Sequence, residues 1–293
     1  MEAIKNRYEF VVLFDVENGN PNVDPDAGNM PRIDPETSIG IVSDVCLKRK
    51  IRNYIDLCME GSAEEDGTEY RILIKPDRSL NSKFEAAYTE CGLKTNEKKR
   101  DQDDVTATRD YMCRKYYDVR TFGAVMSTGD NPCGIVRGPV QISFAHSIDP
   151  VLAQEMTITR QAVTKDADLA DKGPGTMGKK SYVPYGLYRA EGYVSAMLAQ
   201  RVTGFSDADL ELLWTAIINM FEHDHSAARG KMCVRKLIVF KHESALGNAP
   251  SATLFEKVVV KKKDGVMAPR SFADYDVQID TAMPSGVTLD VKL

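Results

Sequence analysis

Three aspartates, Asp24, Asp26 and Asp34, crowd one polar loop near the start of the chain. Carboxylates so placed could hold a divalent ion and cut phosphodiesters. Aspartate beside proline and asparagine also makes turns, and that plainer reading is preferred here. The same loop opens with Asn18-Gly19-Asn20-Pro21-Asn22, whose side-chain amides are hydrogen-bond donors. Beyond it, Lys48, Arg49 and Arg52 fall along the edge of a predicted helix whose apolar arc is Leu47, Ile51, Tyr54, Ile55 and Cys58. An apolar strand, a polar loop and a helix with a cationic flank are the parts of an open anion-binding surface. Taken alone, the helix reads more simply as a solvated one whose long cations shield the core margin.

Other chemistry is weaker. Gly173-Pro174-Gly175-Thr176-Met177-Gly178-Lys179-Lys180 approaches a phosphate loop. A true one needs Ser or Thr where Lys180 stands, with an apolar strand before it and a helix after. Nucleotide hydrolysis is not expected, although these glycines and lysines suit close approach of backbone to phosphate. His223 and His225, two apart on a predicted helix, face different sides and make a poor metal pair. The six cysteines are scattered without a C-x-x-C pair, which reads as reduced thiols with neither disulfide frame nor zinc site. No nucleophile elbow, zinc-protease helix or dinucleotide loop occurs.

The elements that must position these groups follow from composition and periodicity. The 293 residues, 43% hydrophobic and 28% charged, suit one large domain or a core with insertions. No segment is apolar enough to cross a membrane as a helix, and the start lacks a signal-peptide core, so a cytoplasmic protein is expected. A net charge of −5 argues mildly against a nucleic-acid binder. The positive charge is clustered, at 48–52, 229–241 and 257–263, so a polarised surface remains open.

Tyr8–Val16 reads as a central strand. A long loop, Glu17 to Gly40, leads to a helix over Ile41–Met59. Within 60–120, Tyr70–Ile74 reads as a strand, Leu80–Tyr88 as a helix and Thr95–Asp104 as a solvated charge run. Gly134–Phe144 reads as one core strand with a bulge or edge at Gly138-Pro139. Thr157–Val163 and Ser181–Gly186 read as arms of a projecting hairpin. A strand over Leu187–Leu198, a helix capped by Ser206, and strands over Val234–Lys241, Phe255–Val260 and Val287–Lys292 complete the series. With insertions set aside, the order is strand, helix, strand, strand, helix, strand. That is the ferredoxin-like order that RNA-recognition modules use, so an α+β fold is expected.

Several stretches together resemble a known family. They are Tyr8–Asp15 with Asn20-Pro21-Asn22, Asp118–Met126, Gly134–Ile142, Thr157–Arg160, Met177-Gly178-Lys179, Val183–Tyr188 and Arg235–Phe240. Over about residues 7 to 260 the chain resembles the CRISPR-associated Cascade backbone subunit, type I-C branch. The resemblance implies a modified RNA-recognition-motif core (βαββαβ) with a finger-like insertion and a protruding thumb. The parts would be 1–59 as the first half of the palm, 60–120 as the finger region and 121–156 as a core strand region. Residues 157–186 would be the thumb, and 187–293 the second half of the core with the C-terminal strands.

It further implies a non-catalytic protein with no cofactor and no catalytic metal. Such a protein polymerises along guide RNA, joins other Cascade subunits and holds the guide for pairing with target DNA. Its rival in the same superfamily is a metal-dependent ribonuclease using the first-loop aspartates. Val23, His146 and His225 depart from the pattern the resemblance implies, which has Gly at the first position and Arg at the others.

A subunit that holds any guide should contact phosphates and sugars and leave base edges free. The residues expected to do so are Asn18, Asn20, Asn22 and Arg32 of the first loop, Lys48, Arg49 and Arg52 of the helix, and Arg120, Arg137 and Arg160. Lys179, Lys180 and Tyr182 of the thumb join them. Met177 is placed to wedge between bases, and Phe122 to stack on one.

Overall fold

The structure is a computed structural model that describes residues 2–96, 101–160 and 176–293, apart from the side chains of Arg160 and Thr176. Its centre is β1 (Tyr8–Gly19), whose residues from Tyr8 to Val16 are all buried. A strand buried on both faces needs apolar residues on both, which is why the run does not alternate. Small hairpin strands β2 (Val23–Asp24) and β3 (Met30–Pro31) and edge strand β4 (Ile39–Val42) follow, then helix α1 (Asp44–Met59). The predicted helix start at Ile41 is therefore moved. Ser43 caps the helix by accepting from the Cys46 N–H, and the residues before it pair with a distant strand instead.

Helices α2 (Leu80–Glu90), α3 (Gln102–Lys115) and α4 (Tyr117–Phe122) come next. Of the expected strand at Tyr70–Ile74 only a single bridge forms, between Arg71 and Tyr116. The charge run ends in α3, because Asp101 caps that helix. Strands β5 (Gly123–Met126) and β6 (Gly134–Arg137) form a hairpin, and β7 (Val140–Ile142) and β8 (Ala145–Pro150) join the main sheet. The predicted strand over Gly134–Phe144 is thus two strands. They part at Gly138-Pro139, where a Cβ on Gly138 would lie 2.2 Å from the Phe122 carbonyl carbon.

Strand β9 (Gln154–Arg160) pairs with the first part of the long β10 (Thr176–Val194), in a register that runs from Thr176 opposite Arg160 to Tyr182 opposite Gln154. The described arms begin earlier than the expected starts at Thr157 and Ser181, and residues 161–175, with the end of the expected first arm at Val163 and the glycines at 173 and 175, lie outside the described residues. After β10 a helical turn, Ala196–Leu198, runs into a π-helix, Ala199–Thr203. The strand expected to reach Leu198 therefore stops at Val194. Helix α5 (Asp207–Asn219) begins at the predicted cap, Ser206, which forms a reciprocal capping box with Asp209. It ends before His223 and His225, which lie in the following turns instead of on a helix. Strand β11 (Lys231–His242), helix α6 (Ser251–Phe255), the pair β12 (Val258–Lys262) and β13 (Tyr275–Ile279), and β14 (Val287–Val291) complete the chain. Phe255, expected to open a strand, ends a helix.

The main sheet runs β14-β11-β1-β10-β8-β4, with every pair antiparallel. On one face Phe10, Val12 and Phe14 pack against Leu47, Ile51 and Ile55 of α1 and Leu213, Trp214 and Ile217 of α5. The Trp214 ring meets Phe10 edge-on at 5.2 Å, so the single tryptophan is a core residue. On the other face Val11, Leu13, Leu187, Ile238 and Phe240 are covered by Leu254, Phe255, Val258 and Tyr275. The C-terminal segment therefore seals the sheet face opposite α1 and α5. A third core gathers Phe84, Tyr88, Met112, Tyr116 and Val119 with Met126 and Val136 of the β5–β6 hairpin.

Candidate nucleic-acid interface

The first loop leaves the sheet where β1 and β11 separate. A Cβ on Gly19 would sit 1.8 Å from the Arg229 carbonyl oxygen, so only glycine allows the two chains to approach there. Asn18 precedes it in the left-handed region (φ 53°), with its side chain exposed. Asn20 is buried. Its N–H donates to the Ala228 carbonyl at 2.8 Å and its side-chain amide to the Asn29 carbonyl at 3.0 Å. Asn22 accepts from the Ser43 N–H and hydroxyl, both at 2.9 Å, and so ties the loop to the start of α1. Asn20 and Asn22 are thus internal braces, though the buried Oδ1 of Asn20 has no hydrogen-bond partner among the described residues. Asn18 alone of the three presents a free amide. Arg32 pairs with Asp24 at 3.3 Å and remains partly exposed.

The three aspartates are engaged as turn residues. Asp24 also accepts from the Asp26 N–H, and Asp34 accepts from the Glu36 N–H and the Thr37 hydroxyl. The Thr37 bond holds the Asp34 carboxyl below the usual carboxylate range. Among the described residues no three His, Cys, Asp or Glu side chains come together as a metal site.

The cationic helix edge is largely spoken for. Lys48, 11% exposed, donates to Asp44 at 3.0 Å and Gln141 at 3.2 Å. Arg49 donates to the Ile74 carbonyl at 2.6 Å. Arg52 pairs at 2.8 Å with Asp118, which also accepts the Leu73 and Ile74 N–H groups. Lys48 and Arg52 both lie over the Phe122 ring, at 5.6 and 5.2 Å. These cations fasten α1 to the 70–122 region, and each remains partly exposed at the helix edge. Phe122 is buried, so base stacking is corrected to a cation–π platform inside the fold. Arg120 is 2% exposed and grips Asp209 of α5 through two bonds of 3.0 and 2.7 Å. It also donates to the Cys113 carbonyl. A guanidinium so enclosed cannot reach a ligand, and its assignment to RNA is likewise corrected.

The remaining residues are on the surface. Arg137 is exposed on β6, opposite Gly123. Met177 of the hairpin is 82% exposed. Lys179 pairs with Glu155 at 2.7 Å across the hairpin and is still well exposed. Lys180 is half-buried opposite Met156, and the Tyr182 hydroxyl donates to Gln154 at 2.8 Å. Arg160 lies in β9, its side chain outside the described set. Since β1 pairs with β10 only as far as Gly19 opposite Val183, the hairpin continues past the end of β1. It therefore stands at the end of the sheet from which the first loop springs, and β3 lies against β10 there.

A family profile described as CRISPR-associated protein Cas7 matches residues 6–280. The chain belongs to the Cas7 family. A curated relative, the CRISPR-associated protein Cas7 of Haloferax volcanii, is 26% identical over 233 residues, which is 73% of this chain. The chain spans 65% of that relative's length. Among solved structures, a chain of a CRISPR RNA-guided surveillance complex, pre-nicking, matches with a TM-score of 0.49 and 15% identity. That match covers 80% of this chain and 75% of the other. A chain of a second CRISPR RNA-guided surveillance complex has a TM-score of 0.47 and 14% identity, over 89% of this chain and 78% of that one.

One feature of this Cas7 chain was not foreseen as part of the site. Lys50, buried in α1, pairs with Asp224, and Asp224 holds Arg229 at 2.8 Å. Burial pulls the Lys50 amine below its ordinary value, and the Asp224 carboxylate opposes that pull. This triad fixes the 224–230 turn whose carbonyl at Ala228 receives Asn20, and so sets where the first loop begins. The cluster of cations at 229–241 was the only trace of it in the sequence.

Proposed function

We propose that this chain is a non-catalytic subunit that polymerises along CRISPR guide RNA, type I-C in branch, and presents the guide for pairing with target DNA. It does so in the cytoplasm, with other Cascade subunits, as part of an antiviral surveillance complex. The observation that carries this reading is a coincidence of place. The hairpin with Met177, Lys179 and Lys180, and the loop with Asn18 and Arg32, occupy one end of the sheet, while the opposite sheet face is sealed by apolar packing. RNA is then held at the end of the palm, by phosphates and sugars, not on the sheet face.

The core is read as a modified RNA-recognition motif. Its support is the chain order β1, α1, β8, β10, α5, β11 with sheet order β11-β1-β10-β8. The region 60–120 with its own apolar core is the finger, and 157–186 is the thumb. Met177 is the wedge that displaces a base, and Arg137 and Arg160 extend the track.

The test is guide binding by a variant in which Arg137, Lys179 and Lys180 are each changed to Glu. All three lie outside the packed core, so the fold should survive. Affinity for guide-length RNA should fall by at least about tenfold, equally for unrelated spacers, and the salt slope should drop by about 2, since each phosphate contact on a single strand adds roughly 0.7. Unchanged affinity and slope would remove these residues from the track.

A further inference from the structure

The end of α1 and the segment that starts at Tyr70 enclose a recess of about 270 Å³. Asp56 and Glu60 line it from the end of α1, Arg71 and Arg78 from the following segment, and Tyr116 from the residue that caps α3. Its walls are fixed from behind. Lys83 of α2, 2% exposed, donates to the Leu73 and Lys75 carbonyls at 2.8 and 3.1 Å and pairs with Asp77 at 2.5 Å. That buried amine pins the turn which carries Arg78. The Tyr117 N–H donates to the Arg71 carbonyl at 2.8 Å, which holds Arg71 beside Tyr116.

Some of the charge around the recess is already spent. Asp56 offers both carboxylate oxygens to Lys75, at 2.8 and 2.9 Å. Arg71 shares a pair with Glu69 at 2.5 Å and stays 57% exposed. Other groups are left open. Arg78 is exposed, and among the described residues it forms no ion pair. The Tyr116 hydroxyl has no hydrogen-bond partner among the described residues either. Burial pushes that hydroxyl up, while Arg71 and Arg78 pull it back, so both guanidiniums act on the same oxygen. Glu60 reaches Lys75 only at 3.6 Å and is 78% exposed, which leaves its oxygens free to accept.

These groups divide by chemistry. Guanidinium forks match phosphate oxygens two at a time, and the Tyr116 hydroxyl adds one more donor. A carboxylate accepts from sugar hydroxyls, as acidic residues do from the ribose of bound nucleotides. The volume is at the small end of the range for ligand pockets, so it suits one small molecule better than a passing strand. We propose that this recess binds a ribose phosphate monoester, with its phosphate on Arg71, Arg78 and Tyr116 and its hydroxyls on Glu60. The site goes beyond the guide reading and does not rest on it, since none of these residues is assigned to the guide. A free nucleotide and the 5′-terminal phosphate of an RNA share this chemistry.

The experiment is calorimetric titration of the full chain, free of RNA, with ribose 5-phosphate, adenosine 5′-monophosphate, ribose and inorganic phosphate. Ribose 5-phosphate and the nucleotide should bind as a single molecule per chain, and ribose and inorganic phosphate at least about tenfold more weakly. Arg78→Gln and Tyr116→Phe should each weaken ribose 5-phosphate at least about tenfold, with melting temperature and guide affinity unchanged. Tyr116→Phe keeps the ring that packs in the third core. Glu60→Gln should weaken ribose 5-phosphate and leave inorganic phosphate as it was. A short oligoribonucleotide with a 5′-phosphate, compared with its 5′-hydroxyl form, separates the two sources. If only the phosphorylated form binds, and more tightly than the free nucleotide, the phosphate is that of an RNA end; if the two forms bind alike and more weakly than the nucleotide, it is that of a free nucleotide. Ribose 5-phosphate affinity untouched by both Arg78→Gln and Tyr116→Phe would overturn the proposal, as would inorganic phosphate bound equally well. A chain that retains guide RNA and binds neither ribose 5-phosphate nor the nucleotide would strike this site and leave the proposed function standing. A chain that binds ribose 5-phosphate and holds no guide would do the reverse.

Discussion

Arg120 shows how burial changes what a residue can do. In the sequence it is a cation between Val119 and Thr121, in a stretch that resembles the Cascade backbone family. In the fold it is enclosed, with Asp209 as counter-ion and backbone carbonyls filling its remaining donors. It links the 60–120 region to α5, and its removal leaves the buried Asp209 carboxylate without a counter-ion, held among the described residues only by the Ser206 N–H and hydroxyl. Arg120→Met should therefore cost about 3–5 kcal/mol of stability, read from denaturant unfolding. A loss of guide affinity in a variant of unchanged stability would contradict this structural role. Asp77 offers a test at lower pH. Its hydrogen bond from Lys83 lowers the carboxyl from 3.8 to about 2. A depressed carboxylate contributes stability above its unfolded value, and that contribution is lost as pH falls through the folded one. Between about pH 4 and pH 2, wild type should lose more stability than Asp77→Asn. Parallel curves would show that the pair contributes nothing at this partly exposed position.

Elements were legible in the sequence where their signals are local. The run Tyr8–Val16 marks a strand by composition, and Ser206 with Asp209 marks a helix start by a capping box that spans one turn. The beginning of α1 was not legible, because Ile39–Val42 is drawn away to pair with β8, whose strand lies a hundred residues on. The site followed the same division. Met177, Lys179 and Asn18 are exposed, as residues in polar loop and hairpin stretches commonly are. Lys48, Arg49 and Arg52 look free on a helical wheel, yet Asp118, Gln141 and the Ile74 carbonyl reach them from elsewhere in the chain. No pattern within the helix announces those partners. The C-terminal cover is the largest element missed, since α6 and the β12–β13 pair gain their place only by docking on β1, β10 and β11. Phe255 is buried in that contact. Phe255→Ala should destabilise the protein by about 3–5 kcal/mol and raise binding of an apolar dye as the sheet face opens. A variant as stable as wild type, with no added dye binding, would show that the cover is not part of the core.

At the scale of the whole molecule, the proposed function makes this chain one unit of a row, with the β9–β10 hairpin at one end of its sheet. A sequence-blind holder gains affinity when neighbours bind side by side, because each bound copy offers the next both RNA and a protein face. Open rows need a head-to-tail contact, as face-to-face pairs close on themselves. A net charge of −5 is no obstacle, since Arg32 beside Asp24 stays partly exposed and Lys179 beside Glu155 stays well exposed at one end of the sheet. The most direct measurement of this account is the scattering mass of complexes formed on a series of guide RNAs of increasing length. The mass should climb in steps of one 32.6 kDa chain plus the RNA it covers, with cooperative binding at each length. A constant ratio of one protein per RNA, however long the RNA, would contradict the filament and with it the proposed function.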